Sequence, residues 1–168
     1  MARIKLPANL PMPNGSVGLR AEQPADAAFL RRLFDMSRPL AAQLAHLPVD
    51  LRDAIMQGQF HAQCQGYRAQ FPQAQGFVMT VEGAPVGRLL VDNSGTTLHI
   101  ADLALLPGWR GQGIGTMLLL HLAGIAAPRG LSLSVAEENT AAQRLYARLG
   151  FAVTARVPGY LQLARPAA

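Results

Sequence analysis

Along the 168 residues, the apolar positions switch between a period of two and a period near 3.6. These are the spacings of half-buried strands and of amphipathic helices. Residues 1–16, punctuated by Pro7, Pro11 and Pro13, show little periodicity and read as an irregular lead-in. Val17–Ala21 reads as a first strand. Pro24-Ala25-Asp26 opens a helix in which Ala28, Phe29, Leu33 and Phe34 recur at helical spacing until Met36, before Arg38-Pro39. Residues 37–49 read as loop. Asp50–Ala69 reads as a second helix with Leu51, Ala54, Ile55, Phe60 and Tyr67 on one face. Gln57, Gln59, Gln63, Gln65 and Gln70 form either a solvated face or, in part, the lining of a groove.

Phe77–Val81 and Val86–Val91 alternate as paired strands about the turn Glu82-Gly83-Ala84-Pro85. A third apolar run, from Thr97 through Leu106, ends at Pro107-Gly108. A glycine-rich turn follows, and then a stretch to Ala127 that is apolar nearly all round, read as a largely buried helix from Gly113. Pro128-Arg129-Gly130 ends it. Leu131–Val135 is a strand with Ser132 and Ser134 on one face, Thr140–Leu149 a helix ended by Gly150, and Ala152–Val157 with Tyr160–Leu163 a hairpin about Pro158-Gly159. The order predicts an α/β sandwich on a mixed sheet, with residues 17–168 as one domain. The central strand and Leu131–Val135, joined by a helix, should run parallel.

The glycine-rich turn, Arg110-Gly111-Gln112-Gly113-Ile114-Gly115-Thr116, carries the clearest chemistry. A helix start presents free backbone N–H groups and a partial positive charge. Glycines there let an anion reach the backbone, and such N–H groups can hold a phosphate or diphosphate. The same letters also suit a bare helix start.

Composition narrows the alternatives. Half of the residues are hydrophobic, enough for a core, and no run is long enough to predict a membrane span. The N-terminal stretch lacks the apolar core of a signal peptide. One cysteine, Cys64, excludes an intramolecular disulfide and suits a reducing, cytoplasmic setting. The net charge of +5 comes mostly from arginines spread from Arg3 to Arg165, without the clusters that nucleic-acid binding needs. The turn lacks the Lys-Ser/Thr of a nucleotide-binding P-loop.

Arg110-x-x-Gly113-x-Gly115 after a strand, then Asn139, then a helix with Tyr146 ending in Leu149-Gly150-Phe151, resembles the GCN5-related N-acetyltransferase (GNAT) family over residues 76–163. The resemblance implies a mixed, mostly antiparallel sheet whose two parallel central strands splay apart, with the pantetheine arm of acetyl-CoA in the gap. It implies direct acetyl transfer to a primary amine of a small molecule, peptide or protein, by a monomer or homodimer and without a metal. Gly111, Gln112, Gly113, Ile114, Gly115 and Thr116 would hold the diphosphate. Leu103 and Leu105 would pair with the arm, Leu105 N–H would polarise the acetyl carbonyl, and Arg110, Arg144 or Arg148 would meet a phosphate.

Several roles stay open on the residues alone. Asn139 caps the helix, contacts the arm, or does both. Tyr146 donates a proton to the departing thiolate or only packs. The base is His99, Asp102 or a water chain. His99 stands where several relatives carry a catalytic Glu, and strict alternation puts Asp102 on the opposite face of the strand. Glu82 reads as solvated, and Asp35, Asp50 and Asp53 read as loop and helix-start carboxylates. The rival to an enzyme is a non-catalytic acyl-CoA-binding module.

Overall fold

The computed structural model describes residues 3–13 and 15–167. Among the described residues, eight strands form a single sheet in the order β1-β2-β3-β4-β5-β6-β8-β7. They are β1 (Asn9–Met12), β2 (Gly15–Ala21), β3 (Gln75–Val81), β4 (Ala84–Asp92), β5 (Leu98–Leu105), β6 (Leu131–Ala136), β7 (Ala152–Val157) and β8 (Tyr160–Arg165). Among the described residues only β5 and β6 pair in parallel. The helices are α1 (Ala27–Ser37), α2 (Pro39–Gln43), α3 (Val49–Gln70), α4 (Ile114–Ala126) and α5 (Thr140–Arg148).

Period-two patterning decides which face each strand buries. On one side, Met79, Val86, Leu89, Val91, Leu98 and Ile100 pack with Ile114, Leu118, Leu119 and Leu122 of α4, and with Tyr146 and Phe151 at α5. On the other, Val78 and Ala104 pack with Phe29, Leu30 and Leu33 of α1 and Phe60 of α3. Burial at these sites supplies roughly 1.5–3 kcal/mol for each large side chain.

The lead-in departs from its reading. Asn9–Met12 pairs antiparallel with β2, and Leu10 is buried. Pro11 excludes a central strand, but β1 lies at the sheet edge, where a missing N–H costs nothing. Residues 1, 2 and 14 of that stretch lie outside the described residues. In the expected loop 37–49, Pro39 starts the short helix α2 instead of only interrupting the chain, because its fixed φ suits a first helical position. On α3 the inward positions are Met56, Phe60, Gln63 and Tyr67, while Leu51 is 50% exposed. The helix is rotated from the expected face because α1 supplies its apolar partner, with Phe34 and Phe60 rings 5.5 Å apart. α4 covers only one side of the sheet, so Leu120 and Ile125 are exposed despite its apolar sequence.

Candidate active site

The site begins where two strands part. β5 and β6 pair at Leu98↔Leu131, His99↔Ser132 and Ile100↔Leu133, and no further. Beyond Ile100 the strands diverge, while β5 stays paired with β4 to Leu105. Leu106 N–H donates to Val86 O at 2.9 Å, which sets the phase of the β4–β5 ladder. By alternation the backbone groups of Ala104 face β4, and those of Leu103 and Leu105 face the gap. Among the described residues no strand pairs with that edge.

A cavity of about 410 Å³ opens beside the gap. Asp102, Leu103 and Ala104 of β5 line it with Ala136 at the end of β6 and Glu138 and Asn139 beyond it, and α1 and α3 form its far wall. At the end of β5 stands the glycine turn. Gly113 is the N-cap of α4 at φ +84°, and Gly111 has φ +73°. A Cβ at either would meet no atom within 4 Å, so the space over the turn is open. The first i→i−4 bond of α4 runs from Met117 N to Gly113 O at 3.0 Å, so the N–H groups of Ile114 to Thr116 precede the helix's own acceptors. Arg110 Nε donates to Leu105 O at 3.0 Å, and Gln112 Nε2 to Gly108 O at 2.7 Å.

A bulge aims the acid of the site. Leu90 pairs with Asp102 but Val91 with Ile100, so Ala101 has no partner across β4. One extra residue reverses the alternation beyond it. Asp102 therefore shares the α1/α3 face with His99, contrary to strict alternation. It lines the cavity with its side chain only 20% exposed, and Arg88 Nη1 lies 3.6 Å from Oδ2. Burial raises its pKa above the usual carboxylate range, against the lowering pull of Arg88 and Arg38. Arg88 is itself held by Glu22, at 2.9 and 3.3 Å. Tyr67 stands in the same cluster, its phenol pushed up to about 12 mainly by burial and next by Asp102.

His99 does not line the cavity. Its ring stacks on Phe71 at 4.9 Å and its Nδ1 meets Ser132 Oγ at 3.0 Å, where β5 and β6 are still paired. Burial lowers its pKa, and Asp92 opposes the shift. Tyr146 is buried on α5 against Phe151, its phenol raised to about 12 by burial and by the charge of Asp102. Asn139 caps α5, its Oδ1 accepting from Ala142 N at 3.1 Å, and it also lines the cavity. Of the glutamines on α3, Gln63 is the one on the cavity wall.

The pattern reading missed Arg88, Tyr67, Ser37 and Arg38. Arg88 left a signal, as a charge inside the apolar run Val86–Val91. A charge there needs a buried partner. Ser37 and Arg38 left none, since their placement depends on how α1 meets α2.

Comparison with known proteins follows the same lines. The acetyltransferase (GNAT) family profile matches residues 46–151. The chain is 36% identical over 110 residues to the peptidyl-lysine N-acetyltransferase YjaB of Salmonella typhimurium, across 64% of this chain and 72% of that protein. It is 45% identical over 58 residues to the streptothricin acetyltransferase of Streptomyces lavendulae, across 33% of this chain but only 31% of that enzyme. The PaiA N-acetyltransferase of Thermoplasma acidophilum, solved in complex with coenzyme A, superposes with a TM-score of 0.67 at 13% identity, covering 89% of this chain and 98% of that one. That likeness is one of fold.

Proposed function

We propose, from the premise that this chain belongs to the acetyltransferase (GNAT) family, that it transfers an acetyl group directly from acetyl-CoA to a primary amine on a small molecule, peptide or protein. The observation that carries this reading is the divergence of β5 and β6 past Ile100, with a glycine-lined helix start at the mouth of the gap. The chain's own groups fit the cofactor. Open space over Gly111 and Gly113 admits a diphosphate to the N–H groups of Gly111 to Thr116. The edge of β5 at Leu103 and Leu105 offers an amide arm the pairing an added strand would take. Arg110 Nε is occupied by Leu105 O, which leaves its terminal nitrogens for a phosphate. The cap at Asn139 uses Oδ1 alone, which leaves Nδ2 for the arm.

When bound, acetyl-CoA supplies the acetyl group and a thiolate leaving group. Leu105 N–H is aimed into the gap and polarises the carbonyl there. Asp102 takes the proton from the incoming ammonium, because it lines the cavity and burial raises its basicity. Arg88 holds that carboxylate in place. Tyr146, with its pKa near 12, keeps its proton at neutral pH and offers it to the departing sulfur. His99 supports β5 through Ser132 and Phe71. Holding amine and thioester in one cavity supplies much of the rate. Among the described residues no helix is long and apolar enough to cross a membrane, and Cys64 as the one cysteine suits the cytoplasm.

Calorimetric titration with acetyl-CoA and with CoA, followed by thiol release against an amine panel, tests the reading. Binding with amine-dependent thiol release is expected. Binding without turnover would return the acyl-CoA-binding module, and no binding would reduce the glycine turn to a helix start.

A further inference from the structure

The wall of the cavity opposite β5 carries a second set of polar groups that the transfer step does not use. Pro39 forces its predecessor out of the helical region, and Arg38 sits at φ −109°, ψ 133° between α1 and α2. The break puts Ser37 and Arg38 side by side on the cavity wall. Ser37 Oγ is buried and has no hydrogen-bond partner among the described residues. A buried hydroxyl without a partner is costly unless a ligand supplies one. Arg38 forms no ion pair among the described residues. Its guanidinium rests on the ring of Phe34, 5.0 Å from the centroid. Arg88, the deeper cation, is already engaged by Glu22 and Asp102.

Arg38 and Asp102 line the same cavity, and the charge of Arg38 acts on Asp102. They do not pair with each other. An acid and a base held apart across one cavity complement a ligand that carries both charges. Leu30, Leu33, Phe34 and Phe60 form the apolar wall between α1 and α3. Resting on the acetyl-transfer reading above, we infer that the acceptor is a small amino-acid-type zwitterion. Its carboxylate binds Arg38 and Ser37, its amine points to Asp102, and its side chain lies on the apolar wall. Arg38 is then a specificity residue and not a catalytic one. The planar guanidinium can take the carboxylate bidentately.

The test uses matched acceptors with acetyl-CoA and reads thiol release: leucine against 3-methylbutylamine, phenylalanine against phenethylamine, lysine against 1,5-diaminopentane, and an amidated lysine peptide without a free carboxylate. Each acid should exceed its decarboxylated partner by roughly tenfold to a hundredfold in kcat/KM, the range for a charge-assisted hydrogen bond. Arg38→Ala should erase that preference by raising KM for the acids while leaving kcat nearly unchanged, and Arg38→Lys should restore part of it. Equal turnover within each pair, or acetylation of the peptide alone, would overturn the zwitterionic acceptor and leave acetyl transfer standing. Thiol release from none of the amines would overturn the acceptor too. Failure of acetyl-CoA to bind would overturn the transfer reading itself.

Discussion

Gly113 separates the cost of a backbone shape from the loss of a ligand site. Its φ of +84° lies in the left-handed region, where a side chain costs roughly 1–2 kcal/mol. A Cβ there meets no protein atom within 4 Å, so Gly113→Ala adds no clash. For a chain of this length that strain lowers the melting temperature by roughly 3–6 °C. Gly113→Glu carries the same strain and adds a negative charge over the turn. At ~5 Å from one phosphate charge, with an effective dielectric constant of about 20, the repulsion is about 3 kcal/mol. The turn is solvent-exposed, so screening reduces this to about 2 kcal/mol, or roughly thirtyfold in Kd. Thermal melts should therefore rank the two variants alike, while calorimetric titration of CoA ranks Gly113→Glu far below Gly113→Ala. Added salt should narrow the gap between them. Gly108→Ala just before the turn, without a positive φ and with open space around its Cβ, serves as the control for both assays. Wild-type CoA affinity in Gly113→Glu would refute the diphosphate site. An unchanged melting temperature in Gly113→Ala would refute the strain argument.

Further outcomes follow from the same geometry. Tyr146→Phe should cut turnover by about a hundredfold or more, the low end for a lost general acid, with acetyl-CoA affinity in calorimetry nearly unchanged. Because burial holds the Tyr146 phenol near 12, the wild-type pH–rate profile should show no alkaline loss near pH 10 from this group. A base works only when deprotonated, so kcat/KM should fall as pH drops through the raised pKa of Asp102. Asp102→Asn should remove that acidic limb along with most of the turnover, whereas His99→Ala should keep the limb in place. Asp26 is held by Arg20 at 2.6 and 2.8 Å and by Gln23 N at 2.8 Å, which lowers its pKa to about 2. A lowered carboxyl pKa stabilises the fold above pH ~4, and that stabilisation is lost toward pH 2. Asp26→Asn should cost about 2 kcal/mol at pH 7 in urea denaturation, and the deficit should shrink as pH falls from ~4 to ~2.

The sequence by itself determined the local frame. Strand alternation in Val86–Val91 and Leu131–Val135 and the glycines from Gly111 to Gly115 are properties of neighbouring residues, and such local patterns predicted the elements other than β1 and α2, their order and the turn at the start of α4. The motif Arg110-x-x-Gly113-x-Gly115, with Asn139 and Tyr146 after it, was enough to indicate the family. What depended on partners distant in the chain was not legible. Pro11 argued against a strand until β2 made β1 an edge. The inward face of α3 was set by α1, which turned Met56 in and left Leu51 out. Strict alternation separated Asp102 from His99, and a single unpaired residue, Ala101, placed them on one face. A bulge is a mismatch between two strands, so neither strand's own pattern records it. The separation of β5 from β6 past Ile100, the burial that raises the Asp102 pKa, and the meeting of Ser37 and Arg38 with Asp102 across one cavity all exist only once sheet and helices are assembled. Local sequence fixes dihedral preference and facing, whereas a site made of gaps, burial and opposed charges is a property of the packed whole.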